Sequence, residues 1–211
     1  SEMKANAYTL SAGYKSNNIP LYLGLGVSYK NVYQNLASGA FEFEAGSTSA
    51  NNTMYDYGLI LSFPFKNINV FEDSYLDINP AIGYSLANKS NDFISFIDTE
   101  QGDPTPRTAK LGISVSLDFK KDNLNMFQFL YASDVHDLLL DVNTTTTTDD
   151  YGQTITQYEF IDYQNNLGNI DFIDHIINHD VQEGEDIIIN YGYQTTFLDI
   201  LTFQNGRVKN I

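Results

Sequence analysis

The sequence contains no cysteine and no tryptophan, and it is poor in basic residues. Without cysteine, neither a disulfide framework nor a thiolate metal site can form. The chain has 27 acidic against 11 basic residues, which gives a net charge of -16. Because nucleic-acid binding requires a basic footprint, this charge argues against nucleic acid as a partner. The acidity is uneven, since no Lys or Arg occurs between Ser133 and Gln182.

Long hydrophobic runs are also absent. No stretch of about 18 apolar residues occurs, so the sequence encodes no transmembrane helix. This absence leaves a membrane location open, because the strands of a membrane β-barrel alternate and have modest mean hydropathy. The first residues lead almost directly into a strand pattern, and no signal peptide precedes them in this sequence. We therefore expect the chain to be mature, trimmed or only part of a longer protein.

The sequence does contain a two-residue alternation between aromatic or aliphatic residues and small or polar residues. The clearest example runs from Leu21 to Tyr29, where Leu, Val and Tyr alternate with Tyr, Gly and Ser. A helix would scatter these apolar positions around its axis, so the period of two predicts a β-strand. The same pattern predicts further strands at 7–14, 40–45, 55–65, 76–86, 109–119, 126–132, 187–193 and 197–203.

The connections between these strands are of very different kinds. Turns are predicted at 17–20 and at 120–123, whereas 88–107 reads as a polar loop. Pro80 lies inside a strand pattern, which predicts a bulge or irregular pairing there. From 133 to 186 the periodicity is weak and predicts a long acidic loop, with a short helix over 172–178. Such a loop is unusual inside a compact soluble domain but common on the outside of a membrane barrel.

Together these features predict a single domain, residues 1–211, folded as an antiparallel transmembrane β-barrel. The better strands have roughly the 9–11 residues that a tilted bilayer crossing needs. Tyr and Phe end several apolar rows, as in an interfacial aromatic girdle. An odd count of about nine strands predicts that strands are missing, because bacterial single-chain barrels are even-numbered. The alternative is a soluble β-sandwich or jelly roll, in which the apolar face is buried.

Three segments, taken in order, resemble one known family. Residues 103–114, DPTPRTAKLGIS, are similar to a Pro-containing loop that enters a strand through R-[TN]-x-[RK]-L-G. Residues 131–140, YASDVHDLLL, are similar to a strand ending in A-D-[LFV]-N-K-L-L, with His-Asp in place of Asn-Lys. Residues 191–206 are similar to G-x-E-[YF] followed by D-x-[LF]-[AS]-[LI]-R-x-G, with Gln194 replacing the acid and Gln-Asn-Gly replacing the last three residues. The family is that of the PorV/PorQ-type outer-membrane proteins.

The resemblance covers about residues 5–207 and implies a FadL-like barrel in the outer membrane of a Bacteroidota-type bacterium. The best-known member of that family serves the type IX secretion system, where it collects exported proteins by their C-terminal signal domain. It then passes them to the surface-attachment machinery. The implied partners are therefore outer-membrane lipids and secretion-system or surface proteins, and the implied role is not enzymatic. The family's plug-like N-terminal segment has no counterpart here, which leaves plugging of the lumen open.

Two alternative functions remain from the sequence. The first is a FadL-like transporter of hydrophobic small molecules, which would need an apolar pocket and a lateral opening. The second is a soluble β-sandwich adhesin. For the partner-binding function, the contact residues are expected in the acidic loop, namely Asp149, Asp150, Tyr151, Tyr158, Phe160 and Tyr163.

The acidic loop also contains residues with metal-binding chemistry. His175 and His179 have the i, i+4 spacing used for zinc, with Asp180 beside them. The glutamate of a catalytic His-Glu-x-x-His motif is missing, so we favour a polar loop that contains two histidines. The acids at 149–150 and 180–186 suit a structural calcium ion or contact with lipopolysaccharide, but they lack the spacing of a dedicated calcium loop. No cofactor is therefore expected.

Two further polar groups call for an interpretation. His136 and Asp137 invite a comparison with proteases in which an Asp/His pair activates water, but the family comparison places the pair at a strand end. Glu42, Glu44 and Asp56 lie on the small/polar face and would need partners such as Lys110 or Arg107. We expect such ion pairs to fasten a barrel rather than to catalyse a reaction.

Overall fold

A computed structural model describes residues 2–35, 49–90, 104–122, 124–148, 153–162, 164–182 and 184–210. These residues form β-strands and one short π-helix. In chain order the elements are β1 (Glu2–Lys15), β2 (Tyr22–Asn35), β3 (Ser49–Ser62), β4 (Phe65–Phe71), β5 (Ser74–Lys89), β6 (Thr108–Lys121), β7 (Leu124–Leu138), β8 (Asp141–Thr148), β9 (Thr154–Asp162), the π-helix (Phe172–Ile177), β10 (Ile187–Phe197) and β11 (Leu201–Lys209).

Nine strands form one antiparallel sheet, which we call the wall, and β8 and β9 form a separate hairpin. The order across the wall is β1-β2-β3-β5-β6-β7-β10-β11, and β4 pairs with β5. This confirms the predicted all-β, antiparallel fold. In the part of the chain that the structure describes, the outer edges of β1 and β11 have no partner strand, so the wall is an open sheet.

The strands β3 and β4 occupy a single position in the wall. Along β5, β3 pairs as far as Ser62 opposite Ala81, and β4 takes over at Phe65 opposite Ile78. The described wall therefore has eight positions across, an even number. The predicted count of about nine strands agrees with the nine strands of the wall, although the two sets differ: the predicted strand 40–45 lies outside the described residues, and β4 was not predicted as a strand of its own.

The break between β3 and β4 lies beside Pro80. Phe63 donates its N–H to the carbonyl oxygen of Pro80 at 2.9 Å. On its other side Pro80 stays in regular register, opposite Val115 of β6. Because an extended residue turns its nitrogen and its oxygen towards the same neighbour, the proline nitrogen faces the break. The irregular pairing predicted from Pro80 is confirmed, and it is confined to one side of β5.

The acidic segment contains more regular secondary structure than its sequence predicted. The strand β7 continues to Leu138, and the hairpin β8–β9 occupies much of what the sequence indicated as irregular loop. The predicted helix is present, although it is a π-helix, from Phe172 to Ile177. The strand predicted over 197–203 was wrong, because a turn interrupts it: Leu198 and Asp199 have φ of 52° and 56°.

The connections between wall strands sort by length to the two ends of the sheet. At one end the connections are short: 16–21, 72–73, 122–123 and 198–200. At the opposite end they are long: 36–48, 90–107 and 139–186. Short turns at one end and long loops at the other are typical of outer-membrane barrels.

The wall has two chemically different faces because the strands pair in register. On the apolar face, one row crosses the strands as Leu25, Leu59, Tyr84, Leu111, Val135 and Ile189. On the polar face, a neighbouring row is Gly26, Gly58, Ser85, Lys110, His136 and Ile188. Much of the apolar face is exposed in the described residues, with Leu10 at 73% and Phe203 at 55% exposure.

A segment at 164–182, which we call the strap, crosses the apolar face at the end with the long connections. Its Ile176 and Val181 form a buried cluster with Val135, Ile187 and Ile189 of the wall. Ile170 of the strap also packs against a second buried cluster, which consists of Leu86, Ala109 and Leu139. Residues of the strap therefore pack against the wall in both buried apolar clusters.

One glycine of the wall is required by a close backbone approach. A Cβ atom on Gly192 would lie 2.7 Å from the carbonyl oxygen of Asn205, whereas one on Gly26 would meet nothing within 4 Å. We predict that Gly192→Ala lowers the free energy of unfolding by about 1–3 kcal/mol, while Gly26→Ala changes it by less than about 0.5 kcal/mol. Urea unfolding in detergent micelles, followed by far-ultraviolet circular dichroism, measures both. Equal midpoints for the two variants would contradict the close contact between β10 and β11.

Candidate functional site

Wall side chains hold the strap by bonding to its backbone. The Tyr84 hydroxyl donates to the carbonyl of Asn166 at 2.6 Å, and the Ser133 hydroxyl donates to the carbonyl of Ile176 at 3.3 Å. Two further bonds come from charged groups: Asp137 Oδ2 accepts from the N–H of Asn169 at 2.6 Å, and Lys209 Nζ donates to the carbonyl of His179 at 2.9 Å. Buried backbone groups outside regular ladders need such partners. The irregular strap can therefore lie against an apolar surface.

Gly168 lets the strap approach Asp137 closely. Its φ is +61°, and a Cβ atom there would meet the Asp137 carboxylate and Leu139. A left-handed backbone at this position favours glycine over any side chain. Asp137 is itself buried, at 1% exposure. The carboxylate and the glycine thus fit together as one anchor point.

His175 is the buried polar residue of the π-helix, with 3% exposure. Its Nδ1 accepts the N–H of Asp171 at 2.9 Å, and its Nε2 lies 3.2 Å from Oε2 of Glu185. Because Nδ1 is an acceptor, the network assigns the ring hydrogen to Nε2, which donates to the carboxylate. His175 therefore links the strap to the segment that leads into β10.

Asp171 caps the start of the π-helix. Its Oδ1 accepts from the N–H groups of Asp174 and Ile173, at 2.9 and 2.8 Å. These two hydrogen bonds hold the pKa of the Asp171 carboxyl below its usual value. The cap therefore stays ionised, as an N-terminal capping carboxylate should be.

His179 lies past the end of the π-helix with a φ of 53°. Its imidazole stacks on the ring of Tyr191, with the ring centroids 4.0 Å apart and the planes at 10°. Its Nε2 lies 2.9 Å from the Tyr131 hydroxyl and 3.2 Å from the Ser133 hydroxyl. Burial and the nearby Lys209 cation lower the pKa of His179. The surroundings of His179 therefore favour the neutral imidazole over the protonated form.

The structure does not bring the candidate zinc ligands together. His175 turns to Glu185 and His179 turns to Tyr131 and Ser133, while Asp180 lies 3.3 Å from the Lys209 ammonium. The zinc spacing presumes one α-helix, but His179 follows the π-helix rather than continuing it. Among the described residues there is no group of three side chains placed to hold a metal ion.

Two of the six residues predicted to bind a protein partner lie in the hairpin. Asp149, Asp150, Tyr151 and Tyr163 fall outside the described residues. Tyr158 and Phe160 occupy alternate positions of β9, in register with Thr144 and Val142 of β8. These two are the predicted contact residues that the structure places on an element.

The polar face carries ion pairs between neighbouring strands. Lys30 pairs with Asp56 and Lys120 pairs with Asp77, each at 2.7 Å. Asn88 adds an N–H bond to Asp56 at 2.8 Å. The partner of Asp56 is therefore Lys30 and not Lys110 or Arg107, while Glu42 and Glu44 lie outside the described residues. The cross-strand register, which a single sequence does not reveal, selects the partner.

His136 and Asp137 do not form a catalytic pair. Neighbours in a strand point to opposite faces, and His136 lies 3.0 Å from Asp134 Oδ2 on the polar face. Asp137 bonds to the strap on the apolar face. The residues that anchor the strap were not predicted as a site. Ser133 and Asp137 interrupt the apolar alternation along β7, and this interruption could have indicated the site.

Comparison with protein-family models, curated proteins and solved structures found no match to this chain. No helix within the described ranges is both long enough and apolar enough to cross a bilayer.

Protonation of His179 should release the strap. A pKa that is lowered in the folded state favours docking above the ordinary value of 6.5, and that contribution is lost as the pH falls through the folded pKa. We predict that undocking increases as the pH falls below 6.5, by at most about tenfold per pH unit because one proton is linked. His179→Gln should remove this part of the pH dependence. Near-ultraviolet circular dichroism of the tyrosines follows the change.

His136→Gln, on the polar face, is the matched control and should keep the wild-type pH response. If His179→Gln and the wild type lose their tyrosine signal in parallel as the pH falls, His179 does not control docking.

Proposed function

We propose that this chain forms the wall of an outer-membrane β-barrel of the PorV type, which binds exported proteins or secretion-system partners through its long connections. The apolar face would contact lipid and the polar face would line the lumen. The observation that carries the proposal is the two-faced wall whose short connections lie at one end and whose long connections lie at the other.

The placement of charge supports this orientation of the wall. The ion pairs Lys30–Asp56, Lys120–Asp77 and His136–Asp134 all lie on the polar face. A charged side chain directed into hydrocarbon is costly, whereas one that lines a wet lumen is not. A barrel with the opposite orientation would turn all three pairs towards lipid.

A soluble β-sandwich adhesin fits the described wall less well. Its apolar face would have to be covered, yet Tyr8, Leu10 and Tyr14 are 70%, 73% and 60% exposed. Soluble monomers rarely expose a contiguous apolar surface of this extent. In lipid, the same surface needs no cover.

The second candidate is a transporter, which would need a lateral opening in the wall. The break between β3 and β4 beside Pro80 is the observation that favours it. A cavity beside the break is bordered by Pro64 and Phe65, but most of its lining is polar, with Ser62, Lys66, Asp77, Asn79, Ser116, Asp118 and Lys120. Such a lining suits a polar solute better than a hydrophobic one. We therefore retain partner binding as the proposed function.

The membrane proposal predicts heat-modifiable migration in gels. After detergent extraction, the unboiled protein should migrate apart from the 23.8 kDa unfolded chain, because the proposed barrel would close the open edges of β1 and β11 and its interstrand hydrogen bonds would then resist dodecyl sulfate until it is heated. Boiling should abolish the difference. A protein that is monodisperse without detergent and migrates identically before and after boiling would contradict the proposal.

The partner proposal predicts that the hairpin contributes to capture of exported C-terminal domains. The double variant Tyr158→Ser/Phe160→Ser should weaken co-purification by roughly tenfold or more, as expected when aromatic anchors of an interface are lost. The matched control Gln157→Ser/Glu159→Ser alters the alternate positions of β9 and should have little effect. Equal capture by both variants, or no capture by the wild type, would count against the proposal.

A further inference from the structure

The strap presents a second apolar surface on the side turned away from the wall. Leu167, Phe172, Ile173 and Ile177 are 46%, 39%, 58% and 50% exposed. Meanwhile Ile170, Ile176 and Val181 of the same segment pack against the wall. The strap therefore carries apolar residues on both sides, and its outward side is uncovered among the described residues.

The part of the apolar face that the strap leaves uncovered on β7 is shorter than the apolar band of a membrane barrel. The strap reaches down to the row of Tyr131, which His179 contacts. Below that row two rows remain on β7 before the turn, those of Phe129 and Phe127. Two rows extend roughly 13 Å along a strand, or about 10 Å along the membrane normal at the usual tilt, against an apolar band of about 25 Å.

We infer that the strap lies in the lipid interface and completes the apolar band of the wall, with Phe172, Ile173 and Ile177 in contact with acyl chains. This inference rests on the proposed function, since it needs the wall to be in a membrane. The lipid is the occupant because the strap covers the lipid-facing side of the wall. Its outward residues are then directed into the surrounding bilayer.

The internal bonding of the strap meets the requirement of such a location. Irregular backbone is tolerated at membrane depth only where its polar groups have partners within the protein. Tyr84, Ser133, Asp137 and Lys209 provide four such partners from the wall. The exposed acids Asp171 and Asp180 lie on either side of the apolar residues and Asp174 lies among them, which fits a segment that lies along the headgroup layer rather than one that crosses the bilayer.

The absence of tryptophan makes a direct test possible, because one introduced tryptophan is a background-free reporter. Ile173→Trp reports on the strap, Phe129→Trp on the bare apolar face, and Gln194→Trp on the polar face. Each full-length variant is folded into phosphatidylcholine vesicles whose acyl chains are brominated or unmodified. Gel migration before and after boiling confirms that each variant is folded, and Phe172→Trp replaces Ile173→Trp if the latter fails to fold.

We expect acyl-chain bromine to quench Ile173→Trp at least about half as strongly as Phe129→Trp, and Gln194→Trp hardly at all. If Phe129→Trp is quenched but Ile173→Trp is instead quenched by aqueous acrylamide, the inference is overturned while the barrel stands. The outward surface of the strap would then be free for a protein. If Phe129→Trp is not quenched by lipid either, the proposed function itself fails.

Discussion

The period of two in an extended chain is the constraint on which this structure depends. In an ordered ladder, every shift by one residue would exchange the two faces of a strand. Along most of the wall the strands keep one register, with shifts at Tyr55/Tyr57, within the pairing of β4 with β5 and at Phe119/Lys120. Apolar residues therefore accumulate on one face and small or charged residues on the other. Each later feature, including the ion pairs and the strap, is placed by this separation of faces.

The strap shows how a local exception to the pattern is used. Ser133 and Asp137 place polar atoms on the apolar face of β7. Burying these atoms would cost free energy if they had no hydrogen-bond partners. Here they bond to the backbone of the strap. The backbone of the strap therefore provides hydrogen-bond partners for these two side chains, and the side chains provide partners for the backbone of the strap.

Much of the wall could be predicted from the sequence, because alternation is a local property. The strand of residues 109–119 is an example, since it needs only its own residues to be recognised. Strand partners could not be predicted in the same way: Lys30 and Asp56 meet through the register of β2 and β3. The turn at 198–200 was missed because apolar residues continue through it. The hairpin was missed because the threonine tract of β8 has no apolar alternation.

The candidate site was predictable only in its general location. The acidic segment attracted attention through its length and charge, and its two histidines were noticed as a pair. Their actual roles depend on contacts with distant strands, such as the stacking of His179 on Tyr191. The spacing of histidines along a chain cannot predict a role that is set by a wall folded from other segments.

The central claim is that the two faces of the wall meet two different solvents. The chain has no cysteine, so single cysteines along β2 can be labelled one at a time in phosphatidylcholine vesicles with a membrane-impermeant maleimide. The account predicts that cysteines at Gly26, Ser28 and Lys30 react, whereas those at Leu25, Val27 and Tyr29 are protected by lipid. Labelling of all six at similar rates, or protection of the first three, would contradict it.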